Sequence, residues 1–591
     1  MLLGKLSGAE YLLAECSPGD VFSPEDFSPE QKQLAETIDQ FVSRDILPNV
    51  EKLEHQDFGL MINLMKKCGE LGLLMIEAPE EYGGLDLDKA TAMLVAEKIS
   101  RYASFTAAYM VQTGIGMLPL VYYGTHAQNE KYLGKLISGE WISAYCLTEP
   151  DSGSDAMGAK TTATLSADGK HYILNGTKQF ITNGGFADLY TVFAKVDRKQ
   201  FTAFLVERSF GGISPGPEEK KLGIKGSSTT QVILDDVKVP VENVLGEIGK
   251  GHKIAFNVLN VGRFKLGAVV TGTAKAALID GLKYANLRKQ FGVPIGTFGA
   301  IREKIADMTA AIFASESLVY RLAGMIDDRL EILPKGRADY YDAYQRGIEE
   351  YAVECAIAKV FCSEVLAKVV DEVVQIHGGY GFIQEYPAER FYRDERVNRI
   401  FEGTNEINRI LIAGNLFRRA EKGEIPLSRE AGRALEYLSG STDDAGDDSG
   451  VLAAERKLLR NLKRIFLSIA GTASEKLKGR LKDEQEILMT LADVAINIFA
   501  LESAVLRAGK VMETSDGKRR NYLGAVIKVV SWNAAEAVAL AARKAAFFLG
   551  EPEQLLDGIQ RLTRYDATGL LQAKRQLADS SLESEKYVFE V

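Results

Sequence analysis

The chain has 591 residues, 46% hydrophobic and 26% charged, with a formal net charge of −10, enough for several domains and a large buried core of ordinary globular composition. The acidic excess argues against a dedicated nucleic-acid binder, because phosphates would be repelled on approach. Cys16, Cys68, Cys146, Cys355 and Cys362 form no CxxC pair and the histidines no HxxxH or HExxH pattern, so the thiols read as free in a reducing compartment and no metal is expected.

Residues 1–27 are set apart as an N-terminal extension. MLLGKLSGAEYLLAECSPGD lacks a sustained apolar core and a small-residue cleavage site, and it is not an Arg-rich, acid-poor leader. No run of eighteen apolar residues follows, so no membrane span is expected. The expectation is a cytoplasmic chain of bacterial type, peripheral to the inner membrane if it touches lipid, or a mitochondrial matrix chain if it is a processed eukaryotic protein. Residues 28–145 read as a helical domain. Ser28 and Pro29 form a cap followed by proline at the first helical position, and Leu34, Ile38 and Phe41 make a core-facing stripe.

Residues 146–248 change texture. The stretches KHYILNGTKQFITNGG, FTAFLVE and TQVILDDVKV are rich in β-branched and aromatic residues, and Asn175-Gly176 and Asn183-Gly184 read as turns. Helical periodicity returns over 249–430, interrupted at 333–350 by a Tyr-rich stretch that reads as an inter-helix excursion. Residues 431–450, ending in SGSTDDAGDDSG, read as a linker. A further helical block fills 451–591, broken at Gly550-Glu551-Pro552. The fold class is α+β, mainly α.

Three stretches in this order carry a family resemblance: YCLTEPDSGSDA (145–156), RKQFGVPIGTFGAIREKIADM (288–308) and QIHGGYGFIQEYPAERFYRDERVNRIFEGTNEINR (375–409). Together they resemble the acyl-CoA dehydrogenases over about residues 28 to 420. The extra C-terminal helical domain, with VFAKVD, GIKGSSTTQVILDDVKVPVENVLGE and NVGRFKLGA, is most similar to the very-long-chain branch. The resemblance implies an N-terminal helical domain, a middle β-barrel-like domain and a C-terminal four-helix bundle. It also implies FAD as cofactor and α,β-dehydrogenation of long- or very-long-chain acyl-CoA to trans-2-enoyl-CoA in fatty-acid β-oxidation, with electrons passed to an electron-transfer flavoprotein. Two rival readings are an acyl-CoA oxidase using oxygen and a flavoprotein-like assembly factor of a respiratory complex.

Glu402 matches the family's base. Ile400 and Phe401 before it would desolvate the carboxylate, Gly403 would allow close substrate approach, and Thr404 would cap the following helix. One branch of the family carries its base immediately before the arginine of LNVGRF; here that position is Gly262. By resemblance, Tyr145, Leu147, Thr148, Gly153 and Ser154 run along the isoalloxazine and pyrophosphate. Phe180, Ile181 and Thr182 lie beside the ring, with phenylalanine where the family often has tryptophan. Arg288 and Phe291 reach the cofactor of a neighbouring subunit, and Gln375, Gly378 and Gly379 pass its adenosine side. Thr404 and Glu406 match further cofactor contacts, while Ser154, Asn260, Arg263 and Gly403 would meet substrate.

The small residues Ala103, Ser104, Ala107, Ala108, Gly114 and Gly116 suit either a long acyl tail or close helix packing. Residues 455–471 form a basic amphipathic pattern that suits either a core-packed helix or peripheral membrane contact. The extra domain accompanies dimers in the family, so a homodimer is expected.

Overall fold

The computed structural model describes residues 6–336, 339–438 and 450–591. Its first domain contains α1 (Pro29–Phe41), α2 (Val50–Glu54), α3 (Phe58–Glu70), α4 (Lys89–Lys98), α5 (Ala103–Thr113), α6 (Leu118–Tyr123) and α7 (His126–Ile137). Ser28 and Gln31 cap α1 reciprocally: the Ser28 hydroxyl accepts from the Gln31 N–H at 3.2 Å, and the Gln31 side chain accepts from the Ser28 N–H at 2.9 Å.

The middle domain contains β1 (Ser143–Cys146), β2 (Thr162–Leu165), β3 (His171–Thr182), β4 (Leu189–Val196), β5 (Gln200–Glu207), β6 (Ile213–Pro215), β7 (Thr229–Pro240) and β8 (Val244–Leu245). They form one sheet in the order β6-β7-β3-β2-β4-β5-β8, with β1 pairing parallel to β4. The sheet closes on its own core of Cys146, Tyr190, Val192, Phe204, Val232 and Val237. The pairing of β3 with β7 slips twice. At the first slip Asn175-Gly176 lies inside β3, which corrects the turn read from sequence. A Cβ on Gly176 would sit 2.5 Å from Thr161 Oγ1, and the Asn175 carboxamide is tied to Asp236 by two 2.9 Å bonds. Asn-Gly here serves a bulge and a close crossing of chains. The second slip, between Lys178 and Ile181, holds Phe180 at φ +59.

The third domain contains α8 (Gly251–Leu287), the hairpin β9 (Lys289–Gln290) and β10 (Val293–Pro294), then α9 (Gly299–Glu331), α10 (Tyr340–Glu349), α11 (Ala352–His377), α12 (Pro387–Glu395) and α13 (Asn405–Glu421). Helix α11 packs against α8, α9 and α13. The Tyr-rich interruption is largely helical: α10 lays Tyr344 against Tyr122, ring centroids 5.3 Å apart. The last domain contains α14 (Leu427–Leu438), α15 (Ala453–Leu477), α16 (Gln485–Thr514), α17 (Gly517–Leu549), α18 (Pro552–Leu562) and α19 (Leu570–Ser584).

Helix α14 packs on α15, so it belongs to this last domain, and the start of the linker expected at 431–450 is corrected. The polar stretch 439–449 lies outside the described residues. The apolar side of α15 is buried, with Leu458, Leu462, Ile465, Phe466 and Ile469 all in the core, so residues 455–471 form a core-packed helix with no apolar face left for lipid. Helices α16 and α17 are long and apolar enough to cross a membrane by composition, and that apolarity is mostly buried inside the protein.

Residues 6–27 are not a loose extension. The Ala9 N–H donates to Glu354 at 2.6 Å and the Tyr11 hydroxyl to the Ala495 carbonyl at 3.2 Å, which joins α11 to α16. At the same seam Arg507 of α16 meets Glu316 of α9 at 2.5 Å and Glu25 at 2.9 Å. Glu316 also pairs with Lys275 of α8, which meets Glu97 of α4 at 2.6 Å, and Tyr587 donates to Glu316 at 3.0 Å. Burial alone would raise the Glu316 pKa; the adjoining Arg507 and Lys275 outweigh it and hold that carboxyl well below the usual range.

Candidate active site

A cavity of about 390 Å³ lies where the first three domains meet. One wall comes from the middle domain and the strand leading into it: Tyr145, Leu147, Thr148, Gly153, Ser154, Phe180, Ile181 and Thr182. The bulge at the end of β3 turns Phe180 outward, 62% exposed although it lies in a strand. The opposite wall comes from α8 and the turn before α13: Gly262, Arg263, Glu402 and Gly403. Glu149 does not line the cavity. It pairs with Lys178 at 2.7 Å and accepts from the Thr161 N–H at 3.1 Å, a structural contact beneath the loop.

Glu402 and Gly403 both take left-handed backbone, φ +58 and +79. For a glutamate this conformation is strained and persists only where the surroundings over-determine it. Three side chains do so by donating to consecutive carbonyls. Arg263 Nε and Asn408 Nδ2 donate to the Glu402 carbonyl at 3.2 and 3.3 Å. Asn408 Nδ2 and Lys359 Nζ both donate to the Gly403 carbonyl at 2.8 Å. Asn408 also reaches the Thr404 carbonyl at 3.1 Å. The Thr404 hydroxyl then accepts from the Ile407 N–H at 3.2 Å and starts α13.

The result is a carboxylate presented without a partner: Glu402 Oε2 is buried and makes no hydrogen bond. Burial pushes its pKa up to about 7, against the pull of Arg263 and Lys359. The Tyr145 hydroxyl across the cavity is likewise buried and unpartnered.

Gly262 leaves the room that the Glu402 carboxylate occupies. A Cβ there would stand 2.7 Å from Glu402 Oε2 and 3.0 Å from its carboxyl carbon. The clash falls on the end of a flexible side chain, so Gly262→Ala is expected to leave the melting temperature nearly unchanged and to displace the carboxylate. A misplacement of about 1 Å lowers turnover by roughly 100-fold. Steady-state kinetics beside thermal unfolding checks this; full activity would show that the carboxylate position is not critical.

The structure divides the remaining sequence-based site residues. Asn260 does not line the cavity; it is buried behind Arg263 and accepts from Nη1 at 3.0 Å, which corrects its place from substrate contact to support. Thr404 and Glu406 also lie off the cavity wall, because Thr404 is spent on the helix cap and Glu406 points outward from the first turn of α13. Arg288, Gly378 and Gly379 line a second cavity of about 460 Å³ with Tyr284, His377 and Tyr380. Gln375 is exposed at the end of α11, and its carbonyl accepts from the Gly378 N–H. His377 is structural: it stacks on Tyr284 at 4.1 Å, and its Nδ1 lies 2.8 Å from the Val373 carbonyl. Phe291 stands 94% exposed at φ +52 on the tip of the β9–β10 hairpin. Sequence reading missed Lys359, Asn405 and Asn408.

The donor set fits a flavin. The cavity offers an outturned aromatic ring, the Thr148, Ser154 and Thr182 hydroxyls, and the unpartnered Tyr145 hydroxyl. A Cβ on Gly153 would meet only open space. An apolar wall with polar groups at its edge suits a planar heterocycle with a phosphate-bearing tail.

Family comparison agrees with this architecture. Residues 28–140, 144–237 and 249–417 match the acyl-CoA dehydrogenase N-terminal, middle and C-terminal domain models, and residues 461–555 match a further acyl-CoA dehydrogenase C-terminal domain model. The chain belongs to the acyl-CoA dehydrogenase family, a family of oxidoreductases. Among its relatives is a probable acyl-CoA dehydrogenase of Bacillus subtilis (strain 168), 45% identical over 98% of both chains. The mitochondrial very long-chain specific acyl-CoA dehydrogenase of Mus musculus is 38% identical over 75% of this chain and 69% of its own. A crystal structure of an acyl-CoA dehydrogenase from Bacillus anthracis complexed with FAD superposes with a TM-score of 0.95 at 46% identity, covering 99% of this chain and all of that one.

Proposed function

We propose that this chain binds FAD and dehydrogenates long-chain acyl-CoA thioesters between Cα and Cβ, with Glu402 as the base that removes the α-proton. The observation that carries this reading is the buried, unpartnered Glu402 carboxylate facing a cavity whose other wall is built to take a flat heterocycle. A carboxylate is a weak base toward carbon. Its proton affinity is raised here by desolvation, which narrows the gap to the α-carbon acid. Bound FAD supplies the two-electron acceptor for the β-hydrogen. The protein holds the base in one strained conformation and surrounds the reacting carbons with apolar side chains that exclude water.

The tail space supports a long chain. Ala103, Ala107 and Gly114 line the cavity. Ser104, Ala108 and Gly116 serve packing instead: the Ser104 hydroxyl meets Glu54, the Ala108 carbonyl meets Asn183, and a Cβ on Gly116 would strike Ser143. Met110 and Lys265 line this cavity and also border a small pocket of about 10 Å³ beside Glu77, room for roughly one water.

The exposed apolar side chains Leu287, Phe291 and Phe382, at 79%, 94% and 86% exposure, support a homodimer in which Arg288 and Phe291 reach the partner's cofactor. The family supports an electron-transfer flavoprotein as acceptor. Anaerobic mixing of the flavin-loaded protein with acyl-CoAs of graded length is expected to bleach the flavin absorbance fastest with long chains. No bleaching at any length would overturn the proposal. Peroxide formed during aerobic turnover without another acceptor would mark an oxidase instead.

A further inference from the structure

Lys359 lies on α11, outside every stretch that carries the family resemblance, and it is fully buried. Its ammonium makes no ion pair closer than 4 Å among the described residues, and its hydrogen bonds go to neutral oxygens. One is the Gly403 carbonyl at 2.8 Å and the other Asn405 Oδ1 at 2.6 Å. Asn405 is held in turn, its Nδ2 donating to Ser363 and to Glu364, each at 3.1 Å. A buried cation without a counter-ion is costly unless it serves something nearby. What it touches is the carbonyl of Gly403, the residue after Glu402 and, like Glu402, in left-handed backbone.

We propose that Lys359 is a positioning residue for the reaction. By gripping the Gly403 carbonyl it holds the Glu402 turn in its strained conformation, and its buried positive charge favours the carboxylate form of that base. The inference rests on Glu402 being the base. The geometry separates Lys359 from the other two donors: Arg263 holds the carbonyl before Gly403, and Asn408 is uncharged. The charged and titratable groups facing the pair are Arg263 on α8, Tyr145 on β1, Cys355 and Glu364 on α11, and Glu406 on α13. Burial lowers the Lys359 pKa to about 7, opposed by the Glu402 charge, so the ammonium and the carboxylate titrate in the same window and each depends on the other.

The sign of the effect follows. A charged Lys359 favours the ionised carboxylate, so a neutral residue there moves the ionisation of Glu402 to higher pH. The test uses the FAD-loaded protein and a 3,3-dimethylacyl-CoA in deuterated buffer. That thioester has α-hydrogens and no β-hydrogen, so α-proton exchange reports abstraction without any flavin reduction. The wild type is expected to show exchange that rises with pH to a plateau above about pH 7. Lys359→Met is expected to move that limb up by about one pH unit, and so to lower exchange about fivefold at pH 7 and about tenfold well below it. Flavin content should be unchanged. Lys359→Arg, which restores the charge, is expected to restore the limb.

Lys359→Gln serves as a second neutral variant should the methionine protein fail to fold. A limb at the wild-type pH in either neutral variant, or arginine and neutral variants behaving alike, would overturn the proposal. Exchange that survives in Glu402→Gln would instead overturn the assignment of the base, a separate failure.

Discussion

Glutamine in place of Glu402 is expected to lower α-proton abstraction by about 10²–10⁴-fold and to leave the bound flavin in place. The substitution keeps the volume and the strained turn, since all three clamping side chains hold main-chain carbonyls. It removes only the basic oxygen. The same change has a predictable effect on stability. The carboxyl pKa is raised from an ordinary 4.5 to about 7, so the folded state holds this proton more tightly than the unfolded state does. As pH rises from about 4.5 to 7 this group therefore costs the fold stability, and the cost is fully present above pH 7. Glu402→Gln should melt no lower than the wild type at pH 8. Loss of turnover together with unchanged or raised melting temperature separates a chemical role from a structural one. Near-normal turnover would remove Glu402 from the mechanism.

Arg507→Ala is expected to destabilise the protein by roughly 3–5 kcal/mol, the usual cost of stranding a buried partner charge. Arg507 is 1% exposed, and its guanidinium bridges Glu316 and Glu25 while lying 4.6 Å from the centre of the Phe313 ring. Its removal leaves two carboxylates at the seam, with Lys275 still beside Glu316 and Arg519 3.4 Å from Glu25. Urea or thermal unfolding checks the magnitude. Limited proteolysis should show the segment around Glu25 released first. A loss below about 1 kcal/mol would mean that water enters and solvates the acids.

The order helical, β, helical, helical was legible because each block carries its own periodicity and its own punctuation. Ser28-Pro29 starts a helix where expected, and Gly550 closes α17 at φ +69 just before Pro552 opens α18. The pattern for α14 was also present: Leu427, Ala431, Ala434 and Leu438 recur at spacings of four, three and four and are all buried, but the acidic linker beside it drew the boundary too early. Asn175-Gly176 shows the reverse error, a strong local turn signal overruled by a neighbouring strand that needed a residue without a side chain. The cavity wall was readable from motif positions. The clamp behind Glu402 was not, because Lys359 and Asn408 act on main-chain oxygens that any sequence would supply. Their partners are chosen by how α11 and α13 lie together.

The seam that joins Glu25 to Arg507 and Tyr11 to the Ala495 carbonyl also bears on how the chain reaches its native state. A ribosome makes residue 25 long before residue 507, so the Glu25 carboxylate must wait for its guanidinium until nearly the whole polypeptide has emerged, while Phe22, which packs on Gly324 of α9, can dock sooner. Contacts of such sequence separation form late and slowly. The interval before they close is when this protein would depend most on a chaperone.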